Sequence, residues 1–426
     1  MKNSVFLYIA EFLAVLSLIT FVSCGNEGNP GPAPVITNIY PSSGVIGSPV
    51  TIIGDQFIPT VPPELGVGPH QNTSIVAFNG TVAEVEYVYQ DSVGRQRINT
   101  MVPVGATSGK ITVTSNGNMV TSTEEFHVTK PIYLPNVEVT SMAGFGLDVT
   151  IDSEGSLFLT HNYPLIEIVK MAQDGSVHTL WSSPGQDTPW GIAVVPNGNV
   201  YATILGAYIL KIDVDGKATT LAGSADSGDV DGPGASARFG LLPDIDVDKD
   251  GNLYVADWSN FKIRKITPDG TVSTLAGSIQ GYKDGTGSEA KFQSPSNLTV
   301  DAEGNVYVAD GSRIRKVTSN GQVTTVAGSE VYGYRDGTIA NAQFNGITGI
   351  AKDIAGNLYL ADSFAVRRIA PDGSVVTVAG SIFGSLDGPG SSALFTQIQG
   401  MTMDASGHIF LTQGGGLPKI RKITIN

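Results

Sequence analysis

Five histidines (His70, His127, His161, His178 and His408) are the residues best suited to move protons near neutral pH or to bind a transition metal. Their spacing supports neither role. No two stand two apart on one strand face, and there is no His-Glu-x-x-His pair. The serines form no Gly-x-Ser-x-Gly elbow. A carboxylate pair able to cleave glycosides is defined by a distance in space, so a hydrolase or lyase stays open as a lesser alternative.

The aromatic residues offer a clearer chemistry. Phe145 and Trp190 stand at equivalent places before two β-rich runs. His161, Tyr163, Tyr208, Trp258, Phe261 and Phe364 fall in short connections, and Tyr282 and Tyr334 precede two Asp-Gly phrases. Flat rings flanked by Asn, Gln and Asp suit sugars: the C–H face of a pyranose stacks on the ring, and amides and carboxylates read its hydroxyls. The bland alternative is that these rings pack the connections onto the strands beneath.

What must position them is a repeat. From about residue 144 onward a strand-turn-strand phrase recurs, plainest in Asp250-Gly-Asn-Leu-Tyr-Val-Ala-Asp257 followed by Ile263-Arg-Lys265. An inner hairpin starts near Gly155, Gly198, Gly251, Gly304, Gly356 and Gly407, and an outer-strand phrase also occurs six times. Such a period, built of short strands and tight turns, implies a radial all-β array. The last repeat stops after its third strand, and Val137–Met142 is an outer strand without a repeat of its own. Pairing the two closes a ring of six and removes both free edges.

The regular charges read as scaffold. Asp257 precedes Arg264, Asp310 precedes Arg315 and Asp362 precedes Arg367. The separations differ by an even number, which keeps each arginine on one sheet face. Asp250, Asp269 and Asp372 read as turn residues. Four insertions share an Asp-Gly…Ala…Phe phrase beginning at Asp231, Asp284, Asp336 and Asp387, whose Asp-Gly should shape a turn and whose Ala and Phe should plug the space between repeats. One Asp per repeat does not gather six oxygens on one ion, so no metal or other cofactor is expected and structural calcium is a minor option.

Residues 34–129 precede the array. Val50-Thr-Ile-Ile-Gly54 and Lys110-Ile-Thr-Val-Thr114 are β-branched runs bounded by turns. With Pro34-Val-Ile-Thr-Asn-Ile-Tyr-Pro-Ser-Ser-Gly44 and Val76-Ala-Phe-Asn-Gly80, they resemble the IPT/TIG immunoglobulin-like family. That resemblance implies a β-sandwich acting as a spacer or binding module. Tyr254-Val-Ala-Asp257, Ile263-Arg-Lys265 and Asp-Gly-x-Val-x-Thr-x-Ala-Gly resemble the NHL repeat family, which implies a six-bladed β-propeller over 130–426 and, commonly, a protein-binding role. The expected fold is therefore all-β, a sandwich followed by a propeller whose N-terminal strand closes the last blade.

Residues 1–23 read as a secretory signal, with Lys2 before an apolar stretch from Val5 to Val22. It ends Phe21-Val-Ser-Cys24, which resembles a bacterial lipobox. Cys24, the only cysteine, is the expected lipidation site, and residues 24–33 a flexible tether. A net charge of −14 disfavours nucleic acid and leaves the lipid as the sole membrane contact. The sequence thus reads as a non-catalytic lipoprotein of the outer membrane or cell surface. It would bind a polysaccharide or oligosaccharide, with outer-membrane transporter components as further partners. A periplasm-facing anchor and a protein-interaction scaffold are the alternatives.

Overall fold

The computed structural model describes residues 32–57, 74–115, 117–162, 165–183, 185, 187–205, 207–414 and 419–426. The signal segment 1–23, Cys24, nearly all of the tether, most of the 58–75 loop, His70 and Tyr163 lie outside the described residues.

Strands from Val35 to Val128 form two antiparallel-dominated sheets facing each other over one core. One sheet orders Val35–Tyr40, Pro49–Asp55, Gln96–Met101 and Val85–Gln90 side by side. Alternation sets its faces: Val50, Ile52 and Ile98 point inward and are buried, while Thr51, Ile53, Arg97 and Asn99 point outward.

Six four-stranded blades follow, with inner strands at Asp148–Ile151, Pro189–Val194, Ile245–Val247, Pro295–Val300, Ile347–Lys352 and Ile398–Met403. Blade 6 takes its outer strand from Val137–Met142, which pairs antiparallel with Ile420–Ile425 in continuous register. In every blade the second strand is buried along its whole length, because it lies mid-sheet and is covered by both neighbouring blades. Gly251 holds the first turn of blade 3 at φ 82°, where a side chain would be strained.

Two sequence expectations need correction. The carboxylate that organises that first turn is Asp248, which accepts the N–H groups of Asp250 and Asn252; Asp250 itself meets only Lys249 at the surface. The Asp-Gly insertions do more than turn. Gly232-Pro233, Gly285-Thr286, Gly337-Thr338 and Gly388-Pro389 each add a two-residue fifth strand to the outer edge of the following blade. Phe239, Phe292, Phe344 and Phe395 are fully buried between blades, as the plug reading anticipated.

The sandwich is docked on the propeller. Tyr40 packs on Tyr332 with ring centroids 5.0 Å apart. Ser43 Oγ donates to Gln343 Oε1 (2.7 Å) and accepts the Tyr334 N–H (3.1 Å). Thr129 Oγ1 donates to the Tyr334 carbonyl, and Asp336 accepts the Ile132 N–H. A Cβ on Gly47 would stand 3.3 Å from Ile382. Among the described residues these contacts fall on blade 5 and on the insertions entering blades 5 and 6.

Candidate functional site

The rim where second strands end and third strands begin gathers most of the aromatic candidates. Its first-position residues differ from blade to blade: Glu167, Tyr208, Lys262, Arg313, Ala365 and Lys419. Beneath them the support repeats. Arg264, wholly buried, bonds Asp257 at 2.8 Å and Asp231 of the insertion, and its guanidinium lies over Phe239. Arg315 and Arg367 repeat this with Asp310 and Asp284, and with Asp362 and Asp336. In blade 6 Gln413 replaces the strand carboxylate, accepting from Arg421 at 3.0 Å, while Asp387 supplies the charge. Burial raises the carboxyls of Asp257 and Asp310 and takes Asp362 to about 6, against the pull of their arginines. These groups are spent on one another and rigidify the rim.

On blades 1–3 the rim carries Phe145, Trp190, Tyr208, Trp258 and Phe261, all half-buried. Burial, and then the nearby Asp187 carboxylate, push the Tyr208 hydroxyl up to about 12. Trp258 Nε1 donates to Ser294 Oγ at 2.7 Å. Phe261, at φ 56°, closes the short helical turn Trp258–Asn260, whose Asn260 amide donates to both Asp257 oxygens. Trp258 is thereby anchored at its polar end.

Four candidates sit elsewhere or are engaged. His161 is 8% exposed and stacks on Phe145 at 4.5 Å; its Nε2 lies 2.6 Å from the Phe145 carbonyl and its Nδ1 3.2 Å from Glu167. Both nitrogens are occupied, so His161 holds Phe145 in place rather than facing a ligand. Tyr334 is 5% exposed beneath the sandwich, where its backbone bonds Ser43 and Thr129, and is removed from the candidate surface. Tyr282 lies under the Arg313 guanidinium, 3.3 Å from the ring centroid, and its hydroxyl donates to the Asp310 carbonyl. Phe364 meets exposed Phe383 edge-on at 5.7 Å, away from blades 1–3.

A second feature escaped the sequence reading. The inner strands enclose a central cavity of about 340 Å³ whose lining includes Asp148, Asp244 and Asp246. Asp148 accepts the Ile192 N–H across to blade 2; Asp244 and Asp246 accept the Leu298 and Val300 N–H groups across to blade 4. They latch neighbouring inner strands together. Burial raises all three, Asp148 to about 7 and Asp246 to about 6; the Asp246 charge adds to the rise at Asp148, and those of Asp148 and Asp246 to the rise at Asp244. The signal was present in Asp244-Ile-Asp246-Val-Asp248, three carboxylates at strand period. Among the described residues no group of three His, Cys, Asp or Glu is arranged to hold a metal ion.

A family model of the IPT/TIG domain matches residues 34–128, and a model of the teneurin NHL domain matches residues 279–336. Teneurin-3 of Mus musculus is 27% identical over 213 residues, 42% of this chain and 8% of its own length. Teneurin-3 of Danio rerio is 29% identical over 174 residues, 35% of this chain and 6% of its own. The chain therefore spans a small fraction of the teneurins it matches. An auxiliary nutrient binding protein from Bacteroides thetaiotaomicron superposes with a TM-score of 0.52 at 15% identity, covering 93% of this chain and 98% of that one. One from Bacteroides ovatus gives 0.52 at 17% identity, with 93% and 99% covered. At these identities the likeness is one of fold, sandwich and propeller together. The chain joins an IPT/TIG domain to a propeller that matches an NHL domain over residues 279–336.

Proposed function

We propose that this chain is a non-catalytic nutrient-binding protein that captures glycan on the rim of blades 1–3. The observation that carries the reading is the docking of the sandwich over blade 5 and the insertions beside it. It covers Tyr334, and the interdomain bonds among the described residues fall on blade 5 and the insertions beside it, apart from the blade 2 rim that bears Trp190 and Tyr208. Half-buried rings, Trp258 among them held through its Nε1, have little side-chain freedom left to lose on stacking a sugar. The Bacteroides proteins of the same two-domain fold are named for nutrient binding, which supports the class of role. Lipidation at Cys24 would hold the protein at the outer membrane or cell surface beside a transporter for the captured glycan. The cavity carboxylates each accept a neighbouring blade's N–H, which fits a role in holding the inner strands together.

Electrophoresis of the protein in gels containing soluble plant or host polysaccharides tests this. At least one glycan should retard the wild type. Trp190→Ala with Trp258→Ala should weaken that affinity about tenfold or more, each ring being worth on the order of 1 kcal/mol beyond its buried area. An unchanged affinity in a folded double variant places the site elsewhere, and no retardation by any glycan rejects the reading.

A further inference from the structure

The outward face of the sandwich sheet Val35–Tyr40, Pro49–Asp55, Gln96–Met101 and Val85–Gln90 carries a second aromatic surface. Tyr87 and Tyr89 stand two apart on its edge strand, so both point the same way. Their ring centroids are 5.6 Å apart, the planes are tilted by 41°, and the residues are 41% and 38% exposed. Asn99 Nδ2 donates to the Tyr87 hydroxyl at 2.7 Å, and Thr51 Oγ1 donates to Asn99 Oδ1 at 3.0 Å. The cross-strand register continues the row: Tyr87 faces Asn99, Asn99 faces Thr51, and Thr51 faces Tyr40. Three inter-strand steps of about 4.8 Å make a flat track of roughly 14 Å. Its far end is Tyr40, the residue that packs on Tyr332 of the propeller.

We propose that this track binds an extended neutral polysaccharide, so that the sandwich is a second glycan-contacting surface and not only a spacer. The assignment rests on the glycan reading of the propeller rim and extends it across the domain junction. Three features favour sugar over a protein partner. The track is flat, with tyrosine at both ends and only an amide and a hydroxyl between. Its neighbouring cation, Arg97, is engaged by Asp91 at 3.1 Å, a carboxylate it shares with Arg95, and so does not project over the row as a lone charge. The row also ends at the domain junction, where Tyr40 meets the propeller at Tyr332 of the insertion entering blade 5. A chain long enough to touch both surfaces gains by effective concentration, whereas a short oligosaccharide does not.

The experiment measures the affinity of the mature protein for the soluble neutral polysaccharide that retards it most, and for a hexasaccharide cut from that polymer. Tyr87→Ala with Tyr89→Ala should weaken polymer binding by roughly tenfold and leave hexasaccharide binding unchanged, the loss being one of avidity. Trp190→Ala with Trp258→Ala should weaken both. Tyr87→Phe keeps the ring and loses only the Asn99 hydrogen bond; its polymer affinity should stay within about twofold of wild type if stacking carries the contact. Polymer affinity unchanged in a tyrosine double variant of wild-type thermal stability overturns the track and leaves the propeller reading standing. Loss in the tyrosine variant with no loss in the tryptophan variant overturns the propeller reading instead. A wild type that no glycan retards, including one that yields a protein partner lost with the tyrosines, overturns both.

Discussion

Ser43 of the sandwich and Tyr334 of the propeller are joined by a buried hydrogen bond, the serine hydroxyl accepting the tyrosine N–H at 3.1 Å while donating to Gln343. A residue 291 positions away therefore satisfies a backbone donor of the insertion entering blade 5. The two domains are a docked pair, and their relative orientation sets which part of the propeller the sandwich covers. Ser43→Ala leaves the Tyr334 N–H without its acceptor, which costs about 1–3 kcal/mol. Calorimetry should show a single unfolding transition in the wild type separating into two in the variant. A single transition at an unchanged midpoint would mean that the junction bond carries no docking energy.

Asp362 and Arg367 are buried at 0% and 2% side-chain exposure and bonded at 3.0 Å. Removing one partner of such a pair strands the other, at about 3–5 kcal/mol. Asp362→Ala should lower the unfolding free energy by that amount, read as a lower urea midpoint with the slope unchanged, the low end applying because Asp336 still contacts the arginine. Asp250→Ala, at an exposed turn, should leave the midpoint where it was. Equal effects from the two would refute the assignment of the Asp/Arg pairs as the blade scaffold.

The blade count and the split closure were legible because they rest on local signals. Turn glycines such as Gly251 punctuate the chain, and Val137–Met142 is visibly a strand without a hairpin. The rest depends on separations that no local pattern encodes. Asp231 meets Arg264 across 33 residues, so the insertion read as a turn when it is also half of an ion pair. Tyr334 reads like Tyr282 in sequence, yet one is sealed under the sandwich and the other lies beneath Arg313. His161 looked like a rim ligand because its strand position is held elsewhere by Asp; the Phe145 carbonyl that occupies its Nε2 comes from the preceding connection. The alternation at Asp244–Asp248 was visible, but only the approach of blade 4 shows what its carboxylates accept.

The channel carboxylates give stability a definite pH sign. Burial raises Asp246 from 3.8 to about 6 and moves Asp148 and Asp244 the same way. Between the unfolded and folded values the native state holds more protons, so this contribution is full below about pH 4 and is lost as pH rises through 6 and beyond. Other carboxylates, Asp231 and Asp284 among them, are lowered and act in the opposite sense. The difference between proteins is therefore the informative quantity. Asp246→Asn should have a thermal midpoint that gains less than the wild type on acidification from pH 8 to pH 5. An identical slope in both would show that Asp246 titrates at its ordinary value.

Gly311 tests how the rim and the domain junction are coupled. It sits at φ 65°, and a Cβ there would stand 2.9 Å from the Tyr282 hydroxyl and 3.0 Å from that of Tyr332. Gly311→Ala must therefore displace two phenols, one stacked under Arg313 and one supporting Tyr40, and adds backbone strain of about 1 kcal/mol. Burial, and then the Asp310 carboxylate, hold the Tyr282 phenol up at about 12. Moving it toward solvent should bring one additional tyrosine into the group that titrates near 10.0, read by ultraviolet difference absorbance. The same displacement withdraws Tyr332 from Tyr40, so the calorimetric transition should divide as it does for Ser43→Ala. A variant with an unaltered tyrosine titration and an undivided transition would show that the two hydroxyls have room to yield, and that the rim of blade 4 does not govern the docking of the sandwich.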